Sequence, residues 1–382
     1  MAAETVTATV HEPQIQTTHL RLASGNGPVT RTVLCTPLRD ASPSEIPIID
    51  ISPIFSSSLS DRAGVAAQIR SAATNNGFFY IANHGIAPDV IEAAYQGCLD
   101  FFRQPDDVKE SAHNRQSSYF NGWKPSRTTR VNPFESVDNR QSFSWTYDPE
   151  YDPSVADTSS IPQEISRFFR TETNGFPWKA TDNIPHFQAA VLTYWRACLA
   201  LARKLVRAFA LSLDLPEDFF DDKFAYPDAS LALNYYPSLP PSSTSTEAAA
   251  GEVSIGSHTD FQLFTILWQD ASGGLQVLSR QGQWMNARPV PGTFVVNIGD
   301  YLQRITNDRY VSTVHRAQNR SGKERISMPF FFGFGMHESC GVLDTCVGEG
   351  GGKKYEEISC RDWVIKRLTA SHKTNFETDE AA

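Results

Sequence analysis

A mainly β fold of the α+β class, a sandwich or jelly roll braced by one long helix, is what this chain predicts, and three observations predict it. Beyond Asp228 the hydrophobic period is that of strands, with short runs at 230–236, 254–260, 262–268, 274–279, 293–298, 312–318 and 324–334, each bounded by Gly, Pro, Asn or Asp. Ahead of them, Pro185 opens a run through Ala210 in which Val191, Trp195, Leu199, Leu205 and Phe209 recur at roughly helical spacing, as expected of a helix bracing a sheet from behind. Hydrophobic residues make up 40% of the chain, with 24 Phe, so there is material for a sizeable core and global disorder is excluded.

The remaining elements follow in order. Residues 1–44 are rich in Thr, Ala and Ser without periodicity and read as an extended or partly disordered arm. Ile46 to Ile51 is a short buried-strand pattern; Asp61 then caps a helix running to about Asn76, Gly77 stops it, and Phe78 to Ala82 reads as a strand. Residues 88–103 form a second amphipathic helix, and 105–183 is loop-rich and aromatic, suited to the mouth of a pocket. The chain thus divides into an arm (1–44), an N-terminal α/β region (45–183), a strand-rich region (184–372) and a tail (373–382). Pro237 to Gly251 and Gly348 to Gly352 are low-complexity connectors, and the glycine tract lacks the Lys-Ser/Thr of a phosphate loop.

Composition excludes several classes of function. A formal charge of -9 with no basic run argues against nucleic acid as a partner. Six scattered cysteines without a C-x-x-C pair, an N-terminus without a signal-peptide pattern and no apolar run of membrane-spanning length lead us to expect a cytoplasmic protein with no membrane partner. Asn319-Arg320-Ser321 spells a glycosylation acceptor, but without a secretory signal it carries no weight. No interface pattern specifies an oligomeric state.

The chemistry is carried by His258-Thr259-Asp260, His315 and Arg325-Ile326-Ser327. Singly each is weak: a lone His is usually a core or surface residue, and Arg-x-Ser occurs three times, at Arg115, Arg140 and Arg325, so only its position relative to the other parts selects one. Together they form a pattern. Strand alternation puts residues two apart on one face, so His258 and Asp260 point together and a second strand delivers His315. Two imidazoles and a carboxylate on one face of an octahedral metal leave positions open, the arrangement of non-heme Fe(II) oxygenases. Arg325 and Ser327 likewise share a face and offer a guanidinium fork and a hydroxyl to the far carboxylate of a 2-oxo diacid, whose near end chelates the metal and leaves a place for dioxygen.

These elements resemble the isopenicillin N synthase-like branch of the 2-oxoglutarate and Fe(II)-dependent dioxygenases over about residues 45–370. The resemblance extends to Ile46-Pro47-Ile48-Ile49-Asp50, Gly77-Phe78-Phe79-Tyr80 with Asn83-His84-Gly85, Gly274-Leu275-Gln276-Val277, Val296-Asn297-Ile298-Gly299-Asp300 and Ser312-Thr313-Val314-His315-Arg316. It implies a double-stranded β-helix (jelly roll) core holding Fe(II) and 2-oxoglutarate, and oxidation of a small molecule by dioxygen with release of succinate and CO2. It also nominates Asn234 and Tyr236, in Asn234-Tyr235-Tyr236-Pro237, as cosubstrate partners of Arg325 and Ser327, makes Tyr119 a substrate contact, and assigns His84 to a structural turn. Strand parity with Asp260 adds Gln262 and Phe264 to the substrate candidates, and parity with Arg325 adds Phe331. Relatives of this kind serve specialised metabolism by hydroxylation, desaturation, cyclisation or ring expansion of a partly apolar scaffold. The sequence departs from the family pattern at Arg140-Gln141-Ser142-Phe143, where Lys-Glu precedes Phe, and at Gly333-Phe334-Gly335, where Asn-Pro is common. Other readings of the same residues are an iron-dependent oxidative cyclase that uses no 2-oxo acid, a non-catalytic binding protein on this fold, and zinc hydrolysis, which leaves the anion clamp without a purpose.

Overall fold

In a computed structural model, which describes residues 15–24, 29–172, 174–239 and 253–377 with side chains to residue 369, two β-sheets face each other across a cavity. The larger, eight-stranded sheet runs in the order Ile48–Asp50, Phe78–Ala82, Thr293–Ile298, Phe264–Gln269, Arg325–Gly333, Asp228–Tyr236, Gln141–Trp145, Gly122–Lys124. The smaller, five-stranded sheet runs Arg39–Asp40, Trp284–Asn286, Leu275–Leu278, His315–Ala317, Ile255–His258. The two-layer arrangement is that of a jelly roll, with helices as additions. Every predicted strand beyond Asp228 is present, with ends differing by a few residues. Trp284–Asn286 was not anticipated, and neither were the two strands inside the loop-rich 105–183 stretch.

Alternation sorts the large sheet into two faces. Ile326, Met328, Phe330 and Phe332, with Leu231, Leu233, Phe264 and Ile266, pack into the main core against the Leu59–Asn75, Pro88–Phe102 and Phe187–Ser212 helices. Arg325, Ser327, Pro329 and Phe331, with Ser230, Ala232, Asn234, Tyr236, Thr265 and Leu267, face the cavity. The long helix begins at Phe187, two residues after Pro185, because His186 takes a left-handed backbone (φ 66°) that no helix can include. The first helix is capped by Ser58, whose hydroxyl accepts from the Asp61 amide; Asp61 sits in the first turn, where its charge suits the helix dipole.

The described part of the N-terminal arm has regular structure. Thr17–Leu22 and Val29–Leu34 form an antiparallel hairpin whose Leu22 and Val33 bury against Leu278, Trp284 and Val314 of the small sheet. Residues 1–14 and 240–252, the latter within the predicted connector, lie outside the described residues. At the other end the Cys360–Glu377 helix occupies the first half of the predicted tail. No helix of the described residues is long and apolar enough to cross a membrane, and all six cysteines are unpaired.

Candidate active site

His258 ends one strand and His315 begins its antiparallel neighbour, directly opposite in register, which brings the two imidazole rings to 4.3 Å between centroids. Asp260 lies beyond the strand end. The 259–263 segment turns away and is pinned to the next layer by Asp300 N donating to Asp260 O (2.8 Å) and Gly299 N to Leu263 O (2.8 Å). A side chain at 299 is impossible there, since its Cβ would stand 2.2 Å from the Gln262 carbonyl oxygen. Asp260 Oδ1 lies 3.7 Å from both His258 Nε2 and His315 Nε2, and one ligand atom from each residue fits within 4.8 Å of the others.

The donor set is orientated for a metal. His258 Nδ1 faces the Gly256 carbonyl at 2.7 Å and His315 Nδ1 the Thr313 carbonyl at 3.1 Å; a carbonyl only accepts, so both Nδ1 atoms carry the proton and both Nε2 lone pairs face inward. Asp260 Oδ2 accepts from Thr265 Oγ1 (2.5 Å) and Asn297 Nδ2 (2.7 Å), leaving Oδ1 toward the histidines. Burial, then the neighbouring His315, drives the His258 pKa down to about 3, so its ring is a neutral ligand at physiological pH. Burial opposes ionisation of Asp260, but its surroundings, the Asn297 and Thr265 bonds among them, outweigh it and hold its carboxyl below the usual range. Asn297→Ala is expected to weaken Fe(II) binding by ~10–100-fold, as loss of an outer-shell partner does; an Fe(II) titration checks it.

On the large sheet Arg325 pairs with Tyr236 and Ser327 with Asn234. The Arg325 guanidinium is buried, lies 4.7 Å from the Tyr236 ring centre and donates Nη2 to Gln269 Oε1 (3.1 Å), while Nε and Nη1 have no partner among the described residues. Ser327 Oγ donates to Tyr236 OH (3.3 Å), whose own proton stays available. Asn234 Oδ1 accepts from Arg140 Nη1 (2.7 Å). Asn319, the spurious glycosylation acceptor, is buried beneath this corner and donates to Tyr236 O (3.0 Å) and Lys323 O (2.7 Å). An enclosed cation with two idle donors is costly unless an anion completes it, and a carboxylate matches that fork.

Triad and guanidinium line one cavity of about 620 Å³, a volume suited to a small ligand. Tyr119, Gln262 and Phe331 also line it. Phe264 does not: the chain turns between Asp260 and Leu263, so the alternation restarts at 264, and the ring faces Phe209 (5.0 Å) and Phe332 (5.5 Å) in the main core. Gln262 Nε2 donates to Asp228 Oδ2 (2.5 Å), and the other Asp228 oxygen pairs with Arg170. A Cβ on Gly333 would lie 2.6 Å from the Gln262 amide carbon and oxygen, so the departure from Asn at this position makes room for Gln262. Gly333→Ala is expected to displace that amide and change which small molecules bind, without moving the 2-oxoglutarate requirement; ligand screening beside a 2-oxoglutarate titration checks it.

Several residues at the site carried no role in the sequence reading: Thr265, Asn297, Asp300 and Arg367. Asn297 lay in a quoted motif, and inward parity on 293–298 was the available signal. Arg367, from the C-terminal helix, donates to the Thr259 hydroxyl (3.2 Å), pairs with Asp300 (3.0 Å) and reaches the Ala23 carbonyl (2.8 Å). Trp363 Nε1 donates to Phe261 O (2.8 Å). Two histidines away from the triad have separate jobs: His84 Nδ1, assigned to a structural turn, accepts from Ile86 N, and His113 Nδ1 accepts from Arg115 N, each closing a local turn.

Comparison with known proteins agrees with this geometry. Residues 227–334 match the 2OG-Fe(II) oxygenase superfamily, and residues 46–164 match the N-terminal region of non-haem dioxygenases of the kind found in morphine synthesis. A 2-oxoglutarate-Fe(II) type oxidoreductase ppzC of Metarhizium majus is 60% identical over 358 residues, covering 92% of this chain and 94% of the relative. The 2-oxoglutarate-Fe(II) type oxidoreductase hxnY of Emericella nidulans is 32% identical, covering 85% and 89%. Among solved structures, Neurospora crassa T7H in complex with alpha-KG and thymine superposes with a TM-score of 0.70 at 26% identity, covering 85% of this chain and 97% of that one. The chain belongs to the 2-oxoglutarate and Fe(II)-dependent oxygenases. It is a non-heme Fe(II) dioxygenase whose cofactors are Fe(II), 2-oxoglutarate and dioxygen.

Proposed function

We propose that His258, Asp260 and His315 hold the iron, that Arg325, Ser327, Tyr236 and Asn234 hold 2-oxoglutarate, and that the enzyme oxidises a small, partly apolar molecule of specialised metabolism. The observation that carries this is the buried Arg325 fork, idle at Nε and Nη1, in the cavity that also holds the triad. Iron with 2-oxoglutarate and dioxygen supplies the oxidant, with oxidative decarboxylation to succinate and CO2. The chain does the positioning. Arg325 offers its idle Nε and Nη1 donors to the far carboxylate, Tyr236, held by the Ser327 hydroxyl, adds its own proton, and Asn234 keeps its amide Nδ2 as a donor because Oδ1 is committed to Arg140. Phe331 and Tyr119 wall the space beside the triad and keep bulk water from it, and Gln262 supplies a polar contact. Thymine bound to Neurospora crassa T7H supports a small-molecule substrate. Hydroxylation, desaturation, cyclisation and ring expansion all fit such a site, because the outcome depends on where the substrate is held. Six unpaired cysteines support a cytoplasmic setting.

The test is anaerobic reconstitution with Fe(II) and 2-oxoglutarate. The expected result is a metal-to-ligand absorption band that is absent from the Asp260→Ala protein, followed on aeration with substrate by one succinate per substrate consumed. A band that survives in Asp260→Ala, or turnover without succinate, would remove the assignment.

A further inference from the structure

The cavity holds more positive charge than the loaded iron centre can use. Fe(II), the Asp260 carboxylate, doubly charged 2-oxoglutarate and Arg325 sum to zero. Of the other guanidiniums on the wall, Arg170 is matched by Asp228, Arg361 pairs with Asp362 (3.6 Å), and Arg316 donates to Gln276 Oε1 (2.8 Å) and lies 4.0 Å from the Trp284 ring centre. Arg140 is different. It precedes the Gln141–Trp145 strand on the same face as Ser144, which also lines the cavity, and only its Nη1 is engaged, with Asn234 Oδ1. Its Nε is enclosed without a partner, and Nη2 makes no hydrogen bond among the described residues.

The anions and cations around Arg140 do not balance it. Asp138 is close enough to feel the Arg140 charge but forms no ion pair with it; its oxygens accept from Gly256 N (3.1 Å), Val131 N (3.4 Å) and Thr129 Oγ1 (3.4 Å), and it also faces Lys124. Two cations thus share one anion. Burial first, and the Arg140 charge second, pull Lys124 down to about 8. Arg167, also on the cavity wall, has the Phe168 ring beneath it at 4.9 Å and no carboxylate partner among the described residues. The Nε/Nη2 edge of a guanidinium presents two parallel donors at the spacing of the two oxygens of a carboxylate.

We propose that Arg140 is the substrate-recognition residue of this oxygenase and that the substrate carries a carboxylate, received on the free Nε/Nη2 edge of that guanidinium. The proposal rests on the placement of iron and 2-oxoglutarate given above, and it narrows the substrate to small organic acids. It also gives a reason for the departure at 140: an arginine supplies a two-pronged edge while a third nitrogen stays on Asn234, which a lysine ammonium on a flexible stem does not reproduce.

The test uses matched acids and primary amides on the anaerobic Fe(II) and 2-oxoglutarate complex: benzoate with benzamide, phenylacetate with phenylacetamide, and cyclohexanecarboxylate with its carboxamide. The readout is perturbation of the absorption band, with no turnover needed. The acids are expected to act at concentrations about tenfold or more below those of their amides, the discrimination of a charge-assisted bond. Arg140→Met is expected to erase the preference and Arg140→Lys to keep part of it, and in Arg140→Met the loss in acid affinity should exceed any change in the 2-oxoglutarate midpoint by about tenfold. Acids no better than amides in the unaltered enzyme, or a preference that persists in Arg140→Met, overturns the proposal. A 2-oxoglutarate midpoint that rises as much as acid binding falls assigns Arg140 to the cosubstrate and overturns it equally. Failure of the band to form before any acid is added overturns the underlying placement of iron and 2-oxoglutarate, which separates that failure from this one.

Discussion

Asp260→Ala protein should lose its Fe(II) on desalting and turn over no 2-oxoglutarate, and His315→Ala should behave the same way. The loss should exceed the ~10–100-fold effect of outer-shell changes, because each substitution removes one of three donors from a set already short of the metal's six positions. Asp260 has a second role. Its Oδ2 is the acceptor for both Thr265 and Asn297, so truncation leaves two buried donors unpaired, and a lower melting temperature in the iron-free protein should accompany the loss of metal. Iron content by chelator assay and a thermal melt measure the two effects separately. Normal activity in His315→Ala would sink the iron assignment.

Arg325→Met should raise the 2-oxoglutarate requirement by about 100-fold or more, the scale of removing one partner from a buried charge-assisted pair. The effect on stability should have the opposite sign. In the absence of ligand this guanidinium is buried with two donors idle, and an unbranched apolar side chain in its place removes that desolvation cost. The ligand-free Arg325→Met protein is therefore expected to melt no lower than the unaltered one, while the stabilisation that added 2-oxoglutarate gives should largely vanish. Melting curves with and without 2-oxoglutarate check both halves. A variant that melts several degrees lower yet keeps its 2-oxoglutarate midpoint would mean that Arg325 serves packing alone.

The strands and the long helix were legible because their hydrophobic periods are strong and their ends are marked by Gly, Pro, Asn or Asp. Trp284–Asn286 was not, because three residues cannot display a period. Of the two strands of the 105–183 stretch, Gly122–Lys124 was hidden for the same reason, while Gln141–Trp145 owes its form to pairing with Asp228–Tyr236, far along the chain. At the site, the pairing of His258 with His315 was reachable from strand logic. Asp260 arrived at the same place by another route: it leaves the strand and is held by the Asp300 amide, so the alternation that nominated Phe264 did not apply. Gln262 reached the cavity through that turn. What sequence could not reveal was the surrounding layer of Thr265 and Arg367, whose roles depend on contacts between distant segments, whereas the parity of the 293–298 strand did point to Asn297.

The Arg367 contacts bear on how the enzyme becomes competent. This one side chain joins the N-terminal arm at Ala23 to the C-terminal helix, 344 positions apart, and fastens both to Thr259 beside Asp260. Closing so long a loop is entropically costly, so this side-chain contact is expected to form only after the sheets, whose own strands pair across long separations, have brought the two ends near each other. The two sheets can therefore assemble while the loop bearing Asp260 is still loose. Capacity to keep iron is then the final event of folding, and a kinetic measure of metal uptake during refolding should lag behind the formation of secondary structure.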